Sequence, residues 1–134
     1  MALIKPLLAG ALLATSFVAS AAPPVSVRGE ADLAKILSDR VAGPPVDCIQ
    51  QHAIDSAEVI DGTAIVYRDG ARLYVNRPTS GAESLNSDDI LVTDTHTPEL
   101  CSIDVVHLID RTSRFERGFV GLGKFVPYVK PGKS

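Results

Sequence analysis

Residues 59–76 read VIDGTAIVYRDGARLYVN, a stretch in which Asp-Gly occurs twice between apolar runs. Asp-Gly in this setting is a strong signal for a two-residue type I′ hairpin turn, because glycine adopts positive φ without strain. Turns at residues 61–62 and 69–70 both predict one shared apolar face on a three-stranded meander: Ala57, Val59, Ala64, Val66, Leu73 and Val75. A calcium loop is not expected, since the intervening TAIVYR offers almost no oxygen ligands.

The chain after residue 46 continues as short runs of β-branched residues separated by turn residues. ILVTDT, CSIDVVHLID and GFVGLGKFVPYV each predict a strand or a strand pair. In the second run the alternation gives one uncharged side, which we expect to face the interior: Cys101, Ile103, Val105, His107 and Ile109. The count of six to seven strands predicts a mostly β fold, a small antiparallel barrel or sandwich with one N-terminal α-helix.

That helix is expected at residues 30–42, where apolar residues follow helical spacing. Leu33, Ile36 and Leu37 fall on one face, which continues to Val41. The Gly-Pro-Pro at residues 43–45 is typical of a helix end.

The first 21 residues have the layout of a secretory signal peptide: one lysine, an apolar run, then small residues. Cleavage is expected after Ala21 or Ala22. The apolar run is shorter than the roughly 20 residues that cross a bilayer, so no membrane span is expected in the mature chain. Residues 22–29 are expected to be a flexible N-terminal segment, and residues 30–134 a single β-rich domain. The predicted location is periplasmic or secreted.

The chain has two cysteines, Cys48 and Cys101, both in the part predicted to be exported. An even number of cysteines in an oxidising compartment indicates a disulfide. Closing a loop of about 54 residues would stabilise the fold by about 4 kcal/mol in the chain-entropy model.

The charges separate along the chain: residues 22–110 contain six Lys or Arg and fifteen Asp or Glu, whereas residues 111–134 contain six and one. A basic end can bind nucleic acid or anionic lipid. Here the basic residues alternate with apolar ones, which favours strands that pack their apolar side and expose their charges. We therefore expect no nucleic-acid partner, because counterion release requires a contiguous basic patch.

The face of the meander opposite the apolar one includes Tyr67, Arg72 and Tyr74, residue types that are common at recognition surfaces. These three are the candidate ligand-binding residues, and the loop at residues 77–89 is the alternative contact surface. A second hypothesis is a metal site formed by Asp94, His96 and His107. No serine lies in a nucleophile-elbow motif, so no catalytic residue and no cofactor is assigned.

Five segments together carry a resemblance: PPVDCI (44–49), IDGTAIVYR (60–68), LYVNRP (73–78), LCSIDVV (100–106) and GFVGLGKFVPY (118–128). On these the chain resembles a family of small exported bacterial proteins of unknown function. The resemblance implies an all-β body with one cysteine pair and no assigned activity. It supplies no catalytic residues, and His52 is not part of the pattern.

The sequence thus favours binding over catalysis: an exported β-domain that binds an envelope component, a protein or a small ligand. Two alternatives stay open. One is a metal-dependent hydrolase or oxygenase that uses Asp94, His96 and His107. The other is an inhibitor or a structural or stress-related protein of the envelope.

Overall fold

The computed structural model describes residues 10–11, 13–16 and 25–132. These form one α-helix, α1 (Val25–Ile36), two short 3-10 helices (Gln51–Ala53 and Ala82–Ser84) and ten strands: β1 (Val41–Ala42), β2 (Cys48–Gln50), β3 (Ser56–Ile60), β4 (Ala64–Asp69), β5 (Arg72–Asn76), β6 (Asp89–Thr93), β7 (Glu99–Cys101), β8 (Val105–Asp110), β9 (Glu116–Gly121) and β10 (Phe125–Val129). The predicted signal peptide lies outside the described residues, apart from residues 10–11 and 13–16, which have no helix or strand.

The strands form three antiparallel sheets, with five strands in the order β1-β10-β5-β4-β3, three in the order β6-β8-β9, and the pair β2-β7. The fold is mostly β with one helix, as the sequence predicted. The prediction of six to seven strands was too low, because several strands are only two or three residues long. Among the described strands, no pairing closes the sheets into a barrel.

Both faces of the five-stranded sheet pack against other elements. One face packs against the other two sheets around Ile65, Tyr67, Leu108 and Phe125. The other face is covered by α1, whose Leu33 is 1% exposed. This second core contains the predicted apolar residues of β4 and β5: Ala64, Val66, Leu73 and Val75.

The first hairpin does not have the predicted register. Ile60 lies opposite Ala64, so three residues form the turn rather than two. The third, Thr63, donates from its backbone N to Ile60 O (3.0 Å) and from Oγ1 to Asp61 O (3.0 Å), which holds the longer turn. Because one added residue reverses the side-chain alternation, Ala57 and Val59 lie on the face opposite to the predicted one.

The second hairpin turns at residues 70–71, one position later than predicted, since Asp69 pairs with Arg72. This two-residue turn with Gly70 at φ 55° moves the register by two positions and keeps the faces unchanged. The predicted shared face of β4 and β5 is therefore present, although its cross-strand partners differ.

Helix α1 begins at Val25 and ends at Ile36, whereas the sequence pattern indicated residues 30–42. Residues 25–29, expected to be flexible, are helical, and Gly29 packs against the β3–β4 turn. A Cβ atom at Gly29 would lie 1.8 Å from Thr63 Oγ1. The helix stops early because Val41 pairs with Val129 in β10, so tertiary strand pairing takes residues that have helical spacing.

The predicted inner face of the run from Cys101 to Ile109 was wrong. Val106 and Leu108 are fully buried, while Ile103 is 89% and Val105 39% exposed. The two carboxylates on the Val106 side accept hydrogen bonds within turns. Asp104 Oδ2 accepts from Cys101 N (2.7 Å). Asp110 Oδ1, at the end of β8, accepts from the backbone N atoms of residues 112 and 113. Neither carboxylate needs to enter the core.

The disulfide prediction is confirmed. Cys48 and Cys101 lie directly opposite each other in the β2–β7 pair and their sulfurs are bonded. Ile49 and Leu100, the next residues in that pair, are buried in the core between the five-stranded sheet and the other two sheets. Within the described part of the chain, no helix is long and apolar enough to cross a membrane.

Candidate binding groove

The three candidate binding residues separate into one buried and two accessible side chains. Tyr67 is 5% exposed, and its ring packs edge-on against Phe125 with 5.8 Å between the centroids. Burial raises the pKa of the Tyr67 phenol far above its ordinary value. Arg72 is exposed and Tyr74 half-buried. Tyr67 therefore forms part of the core, and Arg72 and Tyr74 are the two that a ligand can reach.

Arg72 and Tyr74 interact directly on the same face of β5. Arg72 Nη1 donates to Tyr74 Oη (3.1 Å), and Arg72 Cζ lies 5.9 Å from the centroid of the Tyr74 ring. This hydrogen bond raises the pKa of Arg72 above its already high value, so the guanidinium is charged at every physiological pH. Both side chains line a surface depression.

That depression is a groove of about 350 Å³. Its lining is mainly apolar and includes two prolines: Gly43, Pro44, Val46, Arg72, Tyr74, Pro127 and Val129. Pro127 lies directly opposite Tyr74 in the β10–β5 pair, and together they form the floor.

The wall of the groove, residues 43–46, is bonded to β10 at both ends. Gly43 N donates to Pro127 O (2.7 Å), and Val46 and Phe125 exchange two backbone hydrogen bonds of 2.8 and 2.9 Å. The φ angles of two consecutive prolines in this segment are fixed near −65°. The groove is thus rigid before any ligand enters, which lowers the entropy cost of binding.

The charge in the groove is positive. Arg72 forms no salt bridge with any acidic residue in the described ranges. Its nearest acidic neighbour along the sheet, Asp69, is its cross-strand partner at the turn and does not line the groove. An unpaired, always-charged guanidinium next to an apolar floor favours a ligand with an anionic group attached to an apolar body.

The alternative contact surface, the loop at residues 77–89, is tied to the body at several points. Arg77 forms a bidentate ion pair with Glu30 of α1. Thr79 N donates to Gly121 O (2.9 Å), and Leu85 is buried and accepts from Gly62 N (3.0 Å). The loop is therefore held to the body by backbone hydrogen bonds, by the Arg77 ion pair and by the buried Leu85 side chain.

The structure does not bring the hypothetical metal ligands together. Asp94 and His96 lie in the connection between β6 and β7, while His107 Nδ1 is 2.6 Å from Glu116 Oε1 on the outer face of the three-stranded sheet. Within the described residues, one group of three metal-binding side chains converges, Cys48, Glu99 and Cys101, and its two sulfurs are joined in the disulfide.

The sequence analysis missed most of the groove. Pro44 was interpreted only as a helix stop and Pro127 as part of a terminal strand. The two residues meet because β1 and the segment after it pair with β10, and no local pattern in the sequence indicates that pairing.

Comparison with protein-family models, with curated proteins and with solved structures found no match in any of the three. The family resemblance therefore stays a prediction, although the all-β body and the cysteine pair that it implies are present.

Proposed function

We propose that this chain is a non-catalytic binding domain of the periplasm or the extracellular space, and that the groove between β10 and the 43–46 segment is its binding site. The observation that carries the proposal is the unpaired Arg72 guanidinium, held by Tyr74 beside a rigid apolar floor. The disulfide supports the location, because such bonds persist in oxidising compartments.

The groove's size and chemistry define the ligand class. A volume of about 350 Å³ is at the lower end of small-molecule sites, so it accepts one short chain or ring rather than a large cofactor. Pro127 and Tyr74 offer apolar surface, and Arg72 offers a fork of N–H donors that matches a carboxylate or a phosphate. The ligand is thus a small amphiphilic anion or the anionic end of an apolar peptide.

The test is an NMR titration of the ¹⁵N-labelled chain with hexanoate, hexyl phosphate and hexanol, which share an apolar chain and differ in charge. We expect the two anions to shift the backbone amides of β5 and β10, and hexanol to bind at least tenfold more weakly. A charge-assisted hydrogen bond contributes about 1.5–3 kcal/mol, and 1.4 kcal/mol corresponds to a factor of ten in affinity.

Arg72→Met removes the charge and retains the apolar stem, and Arg68→Met is its matched control, because Arg68 is exposed on neighbouring β4 but does not line the groove. Arg72→Met is expected to abolish the preference for the anions over hexanol, and Arg68→Met to leave it unchanged. Equal effects of the two variants, or equal binding of hexanol and hexanoate by the unmodified chain, would refute the proposal.

A further inference from the structure

The free edges of the two larger sheets differ in how they are protected against pairing with another chain. The edge strand β1 has only two residues and is followed by Pro44 and Pro45, which cannot donate backbone hydrogen bonds. The edge strand β9 is covered at its C-terminal end, where Thr79 N donates to Gly121 O (2.9 Å) and Gly121 N donates to Ser80 O (3.1 Å). Short strands, prolines and covering segments are the usual protection against pairing with another chain.

The edge strand β3 lacks this protection. In the described part of the chain it pairs with β4 alone, and its sequence, SAEVI, has no proline, no lysine and no bulge. Ser56, Ala57 and Glu58 are exposed. A row of unpaired backbone N–H and C=O groups in such a strand is a template for one more strand.

An open cleft of about 580 Å³ lies between β3 and the edge strand β6 of the three-stranded sheet. Ala57 and Glu58 line one side, and Ile90 and Leu91 line the other. Two hydrogen bonds close one end: Gly62 N donates to Leu85 O (3.0 Å), and Ser87 N donates to Asp61 Oδ1 (2.6 Å). Among the described strands, β3 and β6 belong to different sheets and do not pair across this cleft.

We propose that an extended segment of a partner polypeptide adds as a strand to the free edge of β3 in this cleft. Main-chain hydrogen bonds to β3 supply the affinity, and alternate side chains contact Val59 and Leu91, which also line the cleft. This site is separate from the Arg72 groove, with which it shares no lining residue.

Of the three charged residues that line the cleft, Asp89 is paired with Arg117. The other two specify the partner further. Glu58 forms no salt bridge among the described residues, and Arg111 donates only through Nε to the backbone O of Asp88 (3.3 Å). A segment with alternating small apolar and polar residues, a basic residue facing Glu58 and an acidic residue facing Arg111 is complementary to this cleft.

A second copy of this chain fits less well. A standard stable interface buries about 800 Å² on each partner, which one five-residue strand edge cannot supply alone. A short extended peptide needs only that edge. Its expected affinity is weak, with a Kd of about 0.1–1 mM, because ordering a flexible peptide opposes binding.

The test uses two acetylated and amidated hexapeptides, Lys-Val-Thr-Val-Thr-Glu and its reverse sequence, titrated into the ¹⁵N-labelled chain. We expect at least one of them to shift the amides of residues 56–60 and 89–92. Two N-methylated forms of the same peptide are then tested, one methylated at its odd-numbered residues and the other at its even-numbered residues; these are the two phases. This change retains the side chains and removes half of the main-chain donors, so at least one phase must lose binding.

Ala57→Lys and Val41→Lys are the matched variants, since each places a lysine at an exposed position of an edge strand of the same sheet. Ala57→Lys is expected to weaken peptide binding at least about tenfold, and Val41→Lys to leave it unchanged. The proposal is overturned if neither peptide shifts residues 56–60, if both N-methylated phases bind as tightly as the parent, or if the two variants behave alike. Shifts confined to the Arg72 groove would also overturn it and leave the proposed function standing.

Discussion

Asn76→Ala should destabilise the fold strongly, because Asn76 is a fully buried polar side chain that links β5 to the β9–β10 connection. Its Nδ2 donates to Gly123 O (2.7 Å), and its Oδ1 accepts from Gly123 N (3.0 Å). Both residues are buried, so the alanine variant leaves an N–H and a C=O without their partner.

The expected loss is about 3 kcal/mol. Each buried backbone group left without a partner costs about 1–3 kcal/mol, and a water molecule that enters the space of the removed amide would recover part of the two costs. Domains of this size are stable by about 5–15 kcal/mol in total, so the variant should still fold.

The matched control is Asn86→Ala, which removes the same atoms at an exposed position where Oδ1 accepts from Asp88 N (2.9 Å). Water can replace that bond, so the control should lose less than about 1 kcal/mol. Urea unfolding followed by circular dichroism measures both variants, and the midpoint for Asn76→Ala should fall by about 1–2 M at unchanged slope. Equal losses in the two variants would show that burial does not determine the cost and would refute this reasoning.

Three further predictions concern the turns and the disulfide. The double substitution Cys48→Ser/Cys101→Ser should lower the free energy of unfolding by about 4 kcal/mol in urea titrations, and a loss below about 1 kcal/mol would contradict the loop-closure argument. Gly29→Ala should lower the free energy of unfolding by about 1–3 kcal/mol, because the added Cβ would overlap Thr63. This loss is expected although alanine is the better helix former by about 1 kcal/mol. A more stable variant in the same urea titrations would show that α1 does not approach the turn this closely. The backbone hydrogen bond from Ser113 lowers the pKa of the Asp110 carboxyl. The contribution of this carboxylate to stability is therefore present above its unfolded pKa of about 3.8 and is lost as pH falls through its folded pKa. The stability difference between the wild type and Asp110→Asn should narrow below about pH 4, and a difference independent of pH would contradict this assignment.

The strongest parts of the sequence prediction rested on patterns repeated over many residues. The shared apolar face of β4 and β5 was correct because two-residue alternation survives a register shift of two positions. The predicted disulfide was correct because two cysteines allow only one pairing within the chain. The prediction of helix α1 was correct, and Leu33 on its apolar face is buried. Its predicted ends were wrong, because packing at Gly29 and strand pairing at Val41 determine where the helix lies.

The predictions were wrong where one side chain changed the number of residues in a turn, or where a carboxylate formed its hydrogen bond within a turn. Thr63 adds a third residue to the first turn, so the side chains of β3 lie on the faces opposite to those predicted. An Asp-Gly pair in the sequence does not indicate this extra turn residue. Asp104 accepts from a turn N–H, so the rule that an uncharged side faces the interior failed for β8. At the basic end the predicted packing of the apolar side is present for Val120, Leu122 and Phe125, which are buried. It is absent for Phe115 and Phe119, which are 76% and 60% exposed.

The candidate site was only partly accessible to sequence reasoning. Alternation placed Tyr67, Arg72 and Tyr74 on one face of the meander. It could not show that the packing between the sheets buries Tyr67 and leaves Arg72 exposed. The second wall of the groove required knowledge that Pro44 and Pro127 lie together, which depends on pairing between the two ends of the domain.

The most direct measurement of the groove's role is the set of intermolecular nuclear Overhauser effects between hexyl phosphate and the ¹⁵N,¹³C-labelled chain. We expect contacts from the methylene protons of the ligand to the Tyr74 ring and the Pro127 ring, with the phosphate end next to Arg72. Contacts to any other surface, or their absence at ligand concentrations that shift the amides of β5, would contradict it.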